Sequence, residues 1–342
     1  MSIDASVIIC AYTEARWDDL RAAVSSVQRQ SVAPIETIVV IDHNPRLLQR
    51  AQADIPGVTL LENQETRGLS GARNTGVKAA HGALIAFLDD DAVAEPDWLE
   101  LLARPCDDPS VLGCGGMIEP AWQTGKPSWF PEEFNWVVGC SYRGLPQTPG
   151  PVRNLIGSSM CMRREVFESA GYFRAEVGRV GKHPLGCEET ELCIRARQRW
   201  PERIFLYEPA SRIHHTVPGS RARWSYFCSR CFFEGRSKAQ VAQFAGARDG
   251  LSSERAYTLA VLPQGVVRNL VQVLAHRNMS GAARAGAIVA GLAITAAGYM
   301  TGAWSQRWER SKVWLRRSAA AILSNAKPDR IYLARFKHQE SD

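Results

Sequence analysis

Three consecutive carboxylates, Asp89, Asp90 and Asp91, follow directly on the apolar run ALIAFL (83–88). Like charges at the end of a buried strand repel one another unless a cation sits among them. The plainer alternative is a solvated turn ahead of Pro96. Hard carboxylate oxygens favour Mg²⁺ or Mn²⁺, and Mg²⁺ commonly bridges a carboxylate and phosphates. Paired histidines, His214 and His215, end the segment YEPASRIHH (207–215) and offer an imidazole to the same kind of ion. The loop GLSGARNTG (68–76) sets a cation, Arg73, inside a Gly-rich turn. It has neither the Gly-Lys-Ser/Thr of a Walker loop nor GxGxxG spacing. These residues support a nucleotide diphosphate held through a metal. Glu188, Glu189 and Glu191 open the helical segment GCEETELCIRAR (186–197), where acidic residues complement the helix dipole.

The elements that must position these groups are read from the apolar pattern. SVIICAY (6–12), IETIVVI (35–41), GVTLLE (57–62) and ALIAFL (83–88) read as strands. Between them, Trp17, Leu20, Val24 and Val27 recur at helical spacing, a polar helix occupies about 45–53, and another spans about 71–81. Strands separated by short helices imply right-handed βαβ units and a mostly parallel sheet. In such sheets ligands bind beyond the carboxyl ends of the strands. Asp42 and the Asp89–Asp91 run both stand there. The segment 156–173 runs from strand into helix.

Composition sets the outer limits. The chain has 342 residues, 45% hydrophobic and 22% charged, which excludes a wholly disordered or fibrous protein. The opening MSIDASVIICAY lacks the basic region and long apolar core of a signal peptide. Nine cysteines, an odd and scattered set, read as buried thiols, and Cys228 and Cys231 form a lone CxxC. A cytoplasmic protein is the expectation. The net charge of +6 is unevenly divided. Residues 211–342 hold 20 Lys+Arg and 7 Asp+Glu, so +13, which leaves 21 and 28, so −7, for the rest. A basic third of this kind faces a polyanion. No nucleic-acid motif is present, so an anionic membrane surface is preferred to nucleic acid.

Taken in order, the motifs resemble family 2 glycosyltransferases of GT-A fold, over roughly residues 4–216. SVIICAYTEARWDDL is similar to the family's opening strand and helix, IVVIDHN to its base-reading strand end, and GLSGARNTG to its G-x-x-x-A-R-N-x-G loop. LDDDA resembles the DxD metal motif, GCEETELCIRAR the segment that supplies the catalytic base, and RIHH the strand that ends in a metal-contacting histidine. The resemblance implies a Rossmann-like α/β GT-A domain over 1–216 and a basic helical extension over 217–342. It implies Asp89, Asp91 and His215 as metal ligands for Mg²⁺ or Mn²⁺. Donor contacts fall on Ala11, Tyr12, Glu14, Asp42, Gly71, Arg73, Asp89 and Asp90. The general base falls on Glu189, with Glu188 as the lesser candidate, because this chain has Glu where the family usually has Asp. It also has Asp42-His43 where the family usually has paired acids.

The stretch WFPEEFNWVVGCSYRGLP (129–146) is similar to a subgroup that acts on lipid-linked acceptors, the glucosyl-dolichyl-phosphate glucuronosyltransferases among them. It places Trp129 and Trp136, with Ser158 and Arg195, on the acceptor side. Trp122, Trp129, Phe130, Phe134 and Trp136 read either as a stacking face or as a packed insertion. The implied activity is inverting transfer of a sugar from a nucleotide-diphosphate sugar, a UDP-sugar by preference, to a hydroxyl of a glycan or polyprenyl-linked acceptor. A catalytically inactive carbohydrate-binding protein and a nucleotidyltransferase are the rivals. Between Arg284 and Arg307 lie 22 uncharged residues, eleven of them Ala or Gly. As a helix this run is about 33 Å long, enough to span a bilayer. With the Trp- and Arg-rich segment 307–317 after it, the preferred reading is a helix lying at the cytoplasmic membrane face. A span and a closely packed helix pair are the alternatives.

Overall fold

The computed structural model describes residues 2–177, 186–276 and 279–325, with side chains described as far as 305. The chain divides into two units, 1–302 and 303–342. In the first unit β1 (Ser2–Ala11), α1 (Trp17–Gln28), β2 (Ala33–Ile41), α2 (Pro45–Asp54), β3 (Thr59–Glu62), α3 (Leu69–Ala79) and β4 (Leu84–Asp89) alternate, as the apolar pattern requires. β1 pairs in parallel with both β2 and β4, and β2 with β3. Ile38–Ile41 and Val7–Ile9 are almost wholly buried. That suits continuous β-branched runs, since a parallel strand is covered on both faces.

Pairing changes beyond β4. After β5 (Ala92–Ala94) and α4 (Trp98–Ala103) come the long β6 (Val111–Trp122), β7 (Gly150–Val152), β8 (Ser159–Arg163), α5 (Arg164–Ala170), α6 (Glu188–Arg199) and β9 (Ile204–Val217). The sheet order is β3-β2-β1-β4-β8-β6-β9-β5, with β7 on β9. β8 runs antiparallel to β4 and β6, whereas β6 and β9 are parallel. The chain thus reverses its winding direction between β1 and β4. The crevice outside their carboxyl ends is the place for a ligand in an α/β sheet.

Four further helices complete the first unit: α7 (Trp224–Ala245), α8 (Ala247–Gly250), α9 (Ser252–Ala256) and, after a π-helical turn at Tyr257–Val261, α10 (Leu262–His276). The final helix, α11 (Ser280–Asn325), begins in this unit and continues into the second. Phe227 and Cys231 of α7, Leu262 of α10 and Ile288 of α11 join the same buried core as β1 and β2. Small residues allow this packing. A Cβ on Gly298 would lie 2.0 Å from the Phe232 carbonyl oxygen, and one on Gly235 would lie 2.0 Å from that of Thr295. Among the described residues, two stretches are long and apolar enough to cross a membrane, Glu254–Ala275 and Ser280–Ser305. The sequence pattern singled out only the second. The cations Arg307, Arg310, Lys312, Arg316 and Arg317 lie on helical backbone, with side chains outside the described residues.

Candidate active site

The site begins where β4 ends. Asp89 is the last residue of β4, opposite Cys10 of β1. Three residues later β5 pairs antiparallel with β9, matching Ala92 to His215, and the Thr216 amide donates to the Asp91 carbonyl at 2.8 Å. Strand alternation then separates the two histidines. His215 turns inward, with Nε2 3.1 Å from Asp91 Oδ1, whereas His214 contacts Glu95 and Glu119 on the other face. Ligand atoms of Asp89, Asp91 and His215 lie within 4.8 Å of one another. Two carboxylates and an imidazole form a hard-to-borderline donor set that fits a divalent ion such as Mn²⁺ or Mg²⁺.

Protein cations balance the acidic run. Arg16 Nη1 lies 2.8 Å from Asp90 Oδ1 and 3.1 Å from Asp91 Oδ2, and Arg221 Nη2 is 3.6 Å from Asp91 Oδ2. Burial alone would raise the Asp91 carboxyl, but His215, Arg16 and Arg221 outweigh it and hold it well below the usual range. Burial pushes Asp90 up to about 7, against the pull of Arg16, and its Oδ2 has no hydrogen-bond partner. Burial alone would lower His215, yet the Asp91 carboxylate lifts it to about 10.

Arg73 lies inside α3 and is only 2% exposed. Its guanidinium donates to Glu188 Oε1 at 2.9 Å and to the Gly157 carbonyl at 3.0 Å, and it reaches Asp89 at 3.4 Å. A Cβ on Gly157 would come within 2.6 Å of this guanidinium, so glycine is what admits it. Glu188 is therefore buried as the partner of Arg73. Its neighbour Glu189 is half-buried in the cavity wall. Burial, reinforced by the Glu188 charge and opposed by Arg73, lifts the Glu189 carboxyl to about 8. Helical rotation of about 100° per residue separates the two roles.

A cavity of about 520 Å³ collects these groups. Of the residues expected from sequence, Arg73, Asp89, Asp91, Trp136, Ser158, Glu188, Glu189 and His215 line it. Ala11, Tyr12, Glu14, Asp42, Gly71, Asp90, Trp129 and Arg195 lie outside its wall. Asp42 ties loops together: it accepts from Asn63 Nδ2 at 2.6 Å and from the Gly68 amide at 2.9 Å. Gly71 is pressed against the Thr66 carbonyl, where a Cβ would stand at 1.9 Å. Arg195, two turns along α6 from Glu188, is held by Glu191 and the carbonyls of Ala170 and Tyr172. Trp129 packs against Phe130, Trp224 and Phe227. Most of the aromatic insertion is thus a packed wedge under α7, and Trp136 is its member at the cavity, donating to the Tyr257 hydroxyl at 3.1 Å.

Sequence reading missed Arg16, Arg221 and the whole helical wall: Tyr226, Arg230, Glu234 and Lys238 of α7, Glu254, Tyr257, and Leu292, Thr295, Ala296, Tyr299 and Met300 of α11. The spacing of four along 226–238 was a usable signal, since it marks one face of a helix.

Comparison with known proteins meets this geometry. The family described as Glycosyl transferase family 2 matches residues 6–171. The glucosyl-dolichyl phosphate glucuronosyltransferase of Haloferax volcanii is 36% identical over 237 residues, 68% of this chain and 75% of that protein. The chain belongs to glycosyltransferase family 2. Polypeptide N-acetylgalactosaminyltransferase 4 of Mus musculus is 27% identical over 238 residues, 62% of this chain and 39% of the mouse protein. A mannosyltransferase from Pyrobaculum calidifontis, solved with GDP-Man and Mn²⁺, superposes with a TM-score of 0.56 at 18% identity, covering 89% of this chain and 88% of that one. That likeness shows the fold, GT-A. The family 2 match covers β4, which ends in Asp89, and the turn that carries Asp91, and stops before α6 and β9, so Glu189 and His215 rest on the geometry above.

Proposed function

We propose that this glycosyltransferase moves a sugar, with inversion, from a nucleotide-diphosphate sugar to a hydroxyl of a lipid-linked glycan acceptor. A UDP-sugar is the preferred donor. The observation that carries the reading is that the Asp89–Asp91–His215 cluster and Glu189 line one cavity. Asp89, Asp91 and His215 would hold Mg²⁺ or Mn²⁺, which would supply positive charge for the leaving diphosphate. Arg73 adds a fixed positive charge beside Asp89, already oriented by Glu188 and Gly157. Glu189 accepts the proton of the attacking hydroxyl. As the acceptor oxygen bonds to the anomeric carbon, the bond from that carbon to the diphosphate oxygen breaks. One displacement needs one base and no enzymic nucleophile. Trp136 and Ser158 line the same cavity and are the residues we assign to the acceptor.

The acceptor class draws on the Haloferax relative, whose name specifies a glucosyl-dolichyl phosphate. It also draws on the helices beyond residue 217, read as the extension that brings the catalytic region 1–216 to the cytoplasmic membrane face. Leu259 and Leu274 are 79% and 84% exposed, and Val267, Leu270 and Val271 share that apolar surface. Amphipathic helices with such a face lie in the membrane interface. A panel of nucleotide sugars tested for binding with and without Mn²⁺, then for transfer to polyprenyl-phosphate-linked glucose, tests the reading. Metal-dependent binding followed by transfer is expected. Release of pyrophosphate, or binding unaffected by metal, contradicts it.

A further inference from the structure

The insertion that carries Trp136 is anchored by its neighbours in sequence. Glu133 is fully buried and ion-paired with Arg268 of α10, and a Cβ on Gly265 would stand 2.4 Å from its carboxylate. Phe134 is pressed on α11, where a Cβ on Gly291 would stand 2.4 Å from its ring. Asn135 Nδ2 donates to the Ser141 carbonyl at 3.1 Å. These contacts hold the backbone around Trp136, but they do not set the plane of its indole. The χ2 torsion of a tryptophan is broad and roughly two-fold, so the ring plane needs a restraint of its own.

Tyr257 supplies that restraint. Its hydroxyl accepts from Trp136 Nε1 at 3.1 Å and donates to the Glu133 carbonyl, so it ties the edge of the indole to the anchored backbone. The phenol ring is itself braced edge-on by Tyr142, with ring centroids 5.5 Å apart. Tyr257 opens the π-helical turn between α9 and α10, 121 positions from Trp136 in sequence. Such turns are rare and recur at functional sites. Trp136 is half-buried, packs on Phe134 with centroids 5.3 Å apart, and lines the cavity together with Tyr257. A buried indole N–H usually finds a partner. Without the hydroxyl, the ring must either leave that N–H bare or turn to satisfy it elsewhere, and the surface it offers to the cavity changes.

We infer that Tyr257 is a positioning residue for acceptor binding: its hydroxyl fixes the plane of Trp136, which then offers a preset aromatic surface to the lipid-linked sugar. This rests on the acceptor role proposed above for Trp136 and adds what orients it, from a part of the chain beyond the catalytic region 1–216. A surface held in its binding orientation spares the ligand the cost of ordering it. Because the hydroxyl acts through Trp136, its loss is felt by the acceptor and not by the nucleotide.

The test is calorimetric binding of polyprenyl-phosphate-linked glucose to the full chain loaded with Mn²⁺ and UDP, with binding of UDP itself measured on the same preparation. Tyr257→Phe removes one oxygen and keeps the ring. It should weaken the acceptor probe about tenfold, since a hydrogen bond is lost and an indole N–H is left unpaired, and it should leave UDP affinity unchanged. In turnover, the acceptor KM should rise by about the same factor with kcat held. Trp136→Phe removes the same hydrogen bond from its other side and provides the second background. There, Tyr257→Phe should have almost no further effect on the probe, because the group it acts through has gone. A merely structural role would weaken the probe by the same factor in both backgrounds and overturns the inference. Wild-type affinity for the probe in Tyr257→Phe also overturns it, and if Trp136→Ala still weakens the probe, the acceptor role of Trp136 stands without Tyr257. If Trp136→Ala binds both UDP and the probe as wild type does, that acceptor role fails and the inference fails with it. A wild-type chain that binds UDP with Mn²⁺ but not the probe overturns the lipid-linked acceptor on which both rest.

Discussion

Two ion clusters line one cavity, and they are built in opposite ways. At one end the carboxylates are adjacent in sequence, Asp89 to Asp91, and the cations come from afar, Arg16, Arg73 and Arg221. At the other end Arg153 and the charged residues of α7 and α9 are assembled from 101 positions of chain and pair with one another. The first cluster offers ligand atoms for a metal, and the second ties its charges to one another. The difference teaches that one end of the cavity is arranged to take a divalent cation, while the charges at the other end hold the helical wall in place. Substitutions at each end should therefore fail in different assays.

The largest effect is expected at Glu189. Glu189→Gln should lower turnover by roughly 10²–10⁴-fold with donor affinity retained, the range for loss of a general base. Glu188→Gln should instead weaken the Arg73 anchor, costing on the order of 1–3 kcal/mol in thermal unfolding, with a smaller loss of turnover. The reverse pattern would move the base to Glu188.

Next comes Asp91→Asn. Calorimetry should show donor affinity in Mn²⁺ falling by at least about tenfold, since changes even to groups behind a metal ligand cost 10–100-fold. Unchanged affinity would detach Asp91 from the metal and leave it as the partner of Arg16 and His215.

Much of this contrast was legible before the structure. The apolar runs marked β1 to β4, and the carboxylates at their ends marked the crevice. The resemblance of RIHH to a strand end that contacts a metal assigned that role to His215, and the structure shows why it turns inward. The second cluster was not legible, because Arg153 and Glu254 meet only after α7 has folded across the sheet. The aromatic run 129–136 was ambiguous for a related reason. Aromatic side chains serve cores and ligands alike, and only Phe227 packing on Phe130 and Phe134 decides for the core. Glu188 and Glu189 could not be separated by type. The ion pair to Arg73 separates them.

A pH profile gives a smaller but sharper effect. As the proposed base Glu189 must be deprotonated, and burial beside Glu188 lifts it to about 8. Transfer should therefore rise as pH increases through about 8 and fall below it. Glu189→Gln should lose that limb from what activity remains. A limb that persists in the variant assigns it to another group.

The smallest effect concerns the membrane. The full chain should pellet with anionic liposomes at low salt and come off partly at high salt, since each basic residue near the surface contributes about 1 kcal/mol and salt screens it. Leu274→Glu, on the exposed apolar face, should weaken pelleting at both salt levels. Equal recovery with neutral and anionic liposomes would remove the electrostatic part and leave burial of α10 as the attachment.

The central claim is a single displacement driven by Glu189 beside a metal-held diphosphate. Proton NMR of the first product, formed from an α-linked nucleotide sugar, tests it most directly. The account predicts a β-linked product as the sole initial anomer. An α-linked product would require two displacements and a nucleophile in the cavity wall, and would contradict the assignment of Glu189 as a base acting on the acceptor hydroxyl.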